Sequence, residues 1–96
     1  MKSEKEIRYK LQKLKPKLRK DFSVTRMRLF GSWASGHADE SSDIDLLIEL
    51  EKPIGWRFFT LKLFLEHELG RPVDLVTKNA LKEQLRDSIL SEARDV

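Results

Sequence analysis

Cysteine is absent from this chain of 96 residues, which excludes disulfide staples and thiolate metal sites and permits a reducing compartment. Glycine (four) and proline (three) are scarce, and we find no repeat, low-complexity tract or long linker. No apolar run comes near the roughly 18 residues that cross a bilayer, and the lysine-rich start leads into no signal-type apolar stretch. We therefore expect a cytoplasmic protein with no membrane partner. Histidine occurs only as His37 and His67, and neither has the partner spacing that catalysis or metal binding would need.

Apolar residues make up 40% of the chain and charged residues 36%, the balance of a small globular domain with a charge-rich surface. This length supports one compact domain with a modest core. The formal net charge of +3 is unevenly spread: nine Lys/Arg stand in the first 20 residues against Glu4 and Glu6, and the rest of the chain is net acidic. A basic head can attract nucleic acid or an acidic partner, and it also reads as the solvated face of a helix.

Ile7, Leu11, Leu14 and Leu18 recur at helical spacing, and Pro16 predicts a kink or a break near Lys15. Val24 to Phe30 reads as a strand, with Met27 and Leu29 alternating against Arg26 and Arg28. Gly31 to Ser42 is a loop with a short helical turn from Ser32, and Asp43 to Leu50 is the second strand. Trp56, Phe58, Phe59, Leu61, Leu63 and Leu65 give a wide apolar helix face from about Gly55 to Leu69, stopped by Gly70 and Pro72. These aromatics read as core or partner interface, and they leave a homo-oligomer open. Pro72 to Thr77 is a third strand carrying Asp74. A last helix from about Ala80 turns Leu81, Leu85 and Ile89 inward, with Thr77 or Asn79 as cap. The order predicts an α/β fold, a small mixed β-sheet packed with helices. We read one domain over 1–96: a basic helical segment 1–22, a catalytic core 24–78 and a C-terminal helix 79–96.

Chemistry concentrates in Gly31-Ser32 and, ten residues on, Asp43-Ile44-Asp45. Alternate strand positions share a face, which sets Asp43 and Asp45 roughly 6.6 Å apart. Aspartate is a poor strand former, and two like charges side by side repel. A hard dication such as Mg²⁺ relieves that repulsion and prefers oxygen ligands. Asp74, on the neighbouring strand, supplies a third carboxylate. Gly31 lets backbone approach a ligand, and Ser32 offers a hydroxyl and a helix-start N–H to a phosphate oxygen. Two ions held this way would stabilise an in-line phosphoryl displacement, in which an acceptor hydroxyl attacks the α-phosphate of a nucleoside triphosphate. Asp74 is the candidate to help activate that hydroxyl. Trp33 can stack on a base or serve as packing.

This spaced pattern, Gly-Ser-Trp-Ala-Ser-Gly followed by Ser-Asp-Ile-Asp-Leu, resembles the DNA polymerase beta-type nucleotidyltransferase superfamily, and its minimal nucleotidyltransferase branch above all. The resemblance covers about residues 24–78. It implies a polymerase beta palm-like fold, ATP as substrate and Mg²⁺ as cofactor. Gly31 and Ser32 would then contact the triphosphate, and Asp43, Asp45 and Asp74 would be catalytic and metal-binding. It also implies a partner, a HEPN-domain toxin for which this chain is the antitoxin and onto whose tyrosine it transfers AMP. Ser35 stands where relatives commonly carry arginine, which weakens nucleotide affinity or hands that role to another base.

Two rival readings belong to other classes. One is a binding antitoxin with little or no transferase activity. The other is a transferase to a small molecule or RNA, with a separate subunit holding the acceptor.

Overall fold

A computed structural model describes residues 4–31, 43–81 and 83–96. The predicted loop from Ser32 to Ser42, with Ser32, Trp33, Ser35 and His37, lies outside the described residues. Helix α1 spans Glu4–Phe22, strand β1 Val24–Phe30, strand β2 Ile44–Leu50, helix α2 Arg57–Leu69 and strand β3 Val73–Thr77. A single 3₁₀ turn, Lys78–Ala80, then leads to helix α3, Glu83–Glu92, and to a two-residue strand β4, Arg94–Asp95. The sheet order is β3-β2-β1-β4. β1 runs antiparallel to both β2 and β4, whereas β2 and β3 are parallel, so the sheet is mixed as expected.

One face of the sheet carries the core. Met27 and Leu29 from β1, Ile44, Leu46 and Ile48 from β2, and Val73 and Leu75 from β3 pack against α1 and α2. The helices contribute Ile7, Leu11 and Leu18, and Leu61, Leu65 and Leu69. The β2-α2-β3 unit is a crossover between parallel neighbours, and right-handedness fixes the face that α2 covers. α3 runs the opposite way across the sheet, so the same rule assigns it to the second face. There Leu47 is 1% exposed yet stands apart from the main core cluster.

The structure narrows one expectation and corrects two. Of the kink or break expected at Pro16, the break does not occur: α1 is continuous from Glu4 to Phe22. Leu14 and Leu18 pack on the core on either side of the proline, and that burial holds the helix together across the missing hydrogen bond. Leu85 does not turn inward but is 54% exposed. Among its described side chains the half-buried ones of α3 are Ile89 and Leu90 near its end, where the chain is about to join the sheet as β4. Thr77 precedes the 3₁₀ turn without a side-chain capping bond, and Asn79 lies inside that turn, so neither caps α3.

The short strand β4 is not visible in any periodicity. Asp95 anchors it through two bonds from Arg26, Nε to Oδ1 at 2.7 Å and Nη2 to Oδ2 at 2.9 Å. Arg8 Nη1 also donates to the Asp95 carbonyl. The hydrogen bond from Arg26 holds the Asp95 carboxyl below the usual carboxylate range. Val96 is buried and donates its N–H to the Met27 carbonyl at 3.1 Å.

Two helix ends adopt the left-handed conformation. Gly70 does so at φ 68° and closes α2 with an N–H bond to Glu66 O, as glycine caps do. Ser23 does so at φ 59° while buried. Its N–H bonds Arg19 O at 3.1 Å, and its carbonyl accepts from Glu51 N–H at 2.9 Å. A side chain in that conformation costs about 1–2 kcal/mol. Ser23→Gly is therefore expected to stabilise the fold by about 0.5–1 kcal/mol, after the entropy that glycine adds to the unfolded chain. Thermal unfolding by circular dichroism should show a rise of about 2–6 °C.

Candidate active site

The parallel pairing of β2 with β3 sets Asp45 opposite Asp74 as register partners. Their side chains therefore rise from the same face of adjacent strands, the face opposite α1 and α2. Asp43 stands exposed one residue before β2 begins, two positions from Asp45. On the other side of β2, Phe30 is the register partner of Asp45, which brings the end of β1 and Gly31 alongside. Three of the predicted residues that lie far apart in sequence, Gly31, Asp45 and Asp74, thus meet at one end of the sheet.

Gly31 is required there for two reasons. Its φ of +68° is left-handed, where a side chain is strained. A β-carbon built on it would overlap Asp45 Oδ2 outright and stand 3.1 Å from Cγ. The glycine thus makes the space in which the Asp45 carboxylate lies.

The charge state records the crowding. The Asp45 pKa is pushed up to about 6, first by burial and then by the Asp74 and Asp43 charges. Both causes disfavour a second and third negative charge in one place. Among the described residues, no three acidic or histidine side chains close into a ready-made metal cage. Mg²⁺ prefers oxygen ligands and binds one or two carboxylates together with substrate phosphates. The Asp43, Asp45 and Asp74 donor set is all oxygen and mutually repelling, which is the chemistry that ion takes. Ser32, the other predicted phosphate contact, lies outside the described residues.

The sequence reading missed what lies further along the same face. Arg28 is 8% exposed and donates Nη2–H to Glu49 Oε2 at 2.7 Å, while Arg26 stands 3.6 Å from the same oxygen. The signal was present in the Arg26/Arg28 alternation opposite Glu49. A cavity of about 460 Å³ opens beyond it, lined by the end of β2, the following loop and Thr77–Asn79. The lining begins at Ile48, three residues on from Asp45, so this cavity begins roughly 10 Å along β2 from the carboxylates. It is a separate feature from the carboxylate end of the sheet.

A carboxyl whose pKa is higher folded than unfolded binds its proton more tightly in the fold. Its contribution to stability is then fullest below about pH 4 and is lost as pH rises towards about 6. In metal-free buffer, Asp45→Asn should melt above the parent at pH 7.5, and the gap should close towards pH 4.5. A thermal series across that range with EDTA measures it. Gly31→Ala should lower the melting temperature at every pH, because strain and overlap do not titrate.

The nucleotidyltransferase domain model matches residues 11–96. The protein adenylyltransferase MntA of Thermococcus cleftensis is 40% identical over 79 residues, which is 81% of this chain and 80% of that one. Among solved structures, a candidate minimal nucleotidyltransferase superposes with a TM-score of 0.84 at 34% identity, over 99% of this chain and 97% of the other. A toxin–antitoxin complex with AMP-PNP gives a TM-score of 0.75 at 25% identity, over 91% of this chain and 69% of that one. The sheet with its carboxylate end, the domain match and these relatives agree: the chain belongs to the nucleotidyltransferase domain family, on its minimal nucleotidyltransferase branch.

Proposed function

We propose that this nucleotidyltransferase moves AMP from ATP onto a hydroxyl of a partner protein, with Mg²⁺, as the antitoxin of a HEPN-type toxin. The observation that carries the reading is the Asp45–Asp74 register pair, crowded by Asp43 and backed by Gly31. A fold keeps such repulsion when a bound cation relieves it. The relatives named as an adenylyltransferase and as a toxin–antitoxin complex with AMP-PNP support the nucleotide and the setting.

In this reading Asp43, Asp45 and Asp74 hold the metal, and Gly31 and Ser32 receive the triphosphate. Bound Mg²⁺ would neutralise charge on the phosphate oxygens and orient them for in-line attack. Asp74, exposed on the edge strand β3, accepts the proton of the attacking hydroxyl. The acceptor oxygen then bonds to the α-phosphorus as the bond to the departing pyrophosphate breaks. The chain's own part is to gather three carboxylates and leave the edge beside Asp74 open to a macromolecular acceptor.

Label transfer from α-³²P-ATP to the purified toxin tests this directly. With Mg²⁺ the toxin band should acquire label. The Asp43→Asn/Asp45→Asn double variant should lower the rate by about 100-fold or more, on the scale of losing electrostatic stabilisation at a phosphoryl centre. EDTA should abolish the signal. Neutralisation of the toxin by the double variant as well as by the parent, with no label in either case, would favour the binding antitoxin instead. Label on RNA or a small molecule, with none on the toxin, would favour the other rival.

A further inference from the structure

Helix α2 is apolar on two opposite sides. Leu61, Leu65 and Leu69 are buried in the core. At about 100° per residue, Trp56, Phe59 and Leu63 fall on the reverse side, where they are 87%, 63% and 63% exposed. Single exposed apolar residues are ordinary. Three large ones spaced i, i+3 and i+7 make a stripe about 10 Å long, and an apolar line of that kind marks an interaction surface. A helix apolar on both sides is built to be covered on both.

The cavity beyond β2 is lined from the same helix by Phe58, which packs against the core, so the stripe is a surface of its own. An exposed tryptophan is the residue type that most often dominates binding.

Charge selects the occupant. α1 packs beside α2, with Lys17 Nζ 5.6 Å from the Phe64 ring centroid and the Arg57 guanidinium 5.5 Å from that of Phe22. Lys13, Lys17 and Lys20 are exposed on α1 at spacings of four and three, so they form one row on that helix. Lys17, which also pairs with Asp21 at 3.0 Å, brings that row to the flank of α2. Two copies joined by antiparallel α2 helices would bring two such rows together, which repels. A partner helix with apolar i, i+3, i+7 positions and acidic residues along one edge satisfies both features.

We propose that the outer face of α2 is the docking surface for an acid-flanked amphipathic helix of the toxin partner, with Trp56 and Leu63 as anchors and the α1 lysine row as its electrostatic rim. This rests on the toxin–antitoxin reading and adds the surface that would hold the acceptor protein against the transferase.

Isothermal titration of the purified toxin without ATP tests it. The titration would use the parent, Trp56→Ser/Leu63→Ser, Lys13→Glu/Lys17→Glu and Asp43→Asn/Asp45→Asn. The substituted stripe and lysine residues are exposed, and melting curves will confirm that the variants fold. The stripe variant should bind about 50-fold more weakly or worse, the loss expected for two anchor residues. The charge-reversed variant should bind more weakly and lose salt dependence, and the carboxylate variant should bind like the parent. Tight binding by the stripe variant would overturn the docking surface while leaving the proposed reaction intact. A parent that binds no toxin would remove the partner and overturn both. A concentration-dependent dimer of the parent, abolished by Trp56→Ser/Leu63→Ser and competing with toxin binding, would give the surface to a second copy instead.

Discussion

The parallel pairing of β2 and β3 is the constraint on which the rest depends. Adjacent strands bring register partners within a few ångströms on one face, and here the partners are Asp45 and Asp74. Backbone hydrogen bonds, with Ile44, Leu46, Val73 and Leu75 buried beneath them, force together two carboxylates that water would keep apart. A one-residue slip of β2 would turn Asp45 into the core and Ile44 outwards, and a slip of β3 would do the same to Asp74 and Val73. The apolar face therefore enforces the geometry of the polar one. Gly31 completes the arrangement by having no β-carbon where the Asp45 carboxylate must lie.

The two faces of the sheet divide the labour. One is a conventional core against α1 and α2. The other carries acids at one end and an arginine–carboxylate network at the other, with Leu47 buried between them. In that network Arg28 binds Glu49 while Arg26 clamps Asp95. The clamp ties the two-residue strand β4 to β1 and brings Val96 into the core. Charge thus does two opposite things on one surface: paired charges close the sheet edge, and at the other end burial and the Asp74 and Asp43 charges raise the Asp45 pKa.

α2 links the inside of the molecule to its surroundings. Its inner leucines complete the core, and its N-terminal turn borders the cavity beyond β2. Its outer stripe remains uncovered in the isolated chain. In a domain this small, a helix needed by the core also has an opposite side to offer, and aromatic residues there serve contact rather than folding.

Much was legible in the residues themselves. Period-two alternation in Val24–Phe30 and in the strand carrying Asp45 gave their extended form, and Gly70 gave the end of α2, because these signals are local and steric. The Gly-Ser and Asp-x-Asp pattern, with Asp74 further on, also pointed to the family, since few foldable reasons exist for acids in apolar strands. Helical spacing could not say which apolar residues would be covered: Trp56, Phe59 and Leu63 look as apolar as Leu61 and Leu65. Nor could it show that α1 would run unbroken through Pro16, that Leu85 of α3 would stay exposed, or that Arg94–Asp95 would join the sheet. Those outcomes depend on what each segment meets in space. By itself the sequence determined the elements and the acids they carry. The tertiary structure alone decided that Asp45 faces Asp74 across a parallel ladder, because strand order and register are set by long-range burial and not by any local propensity.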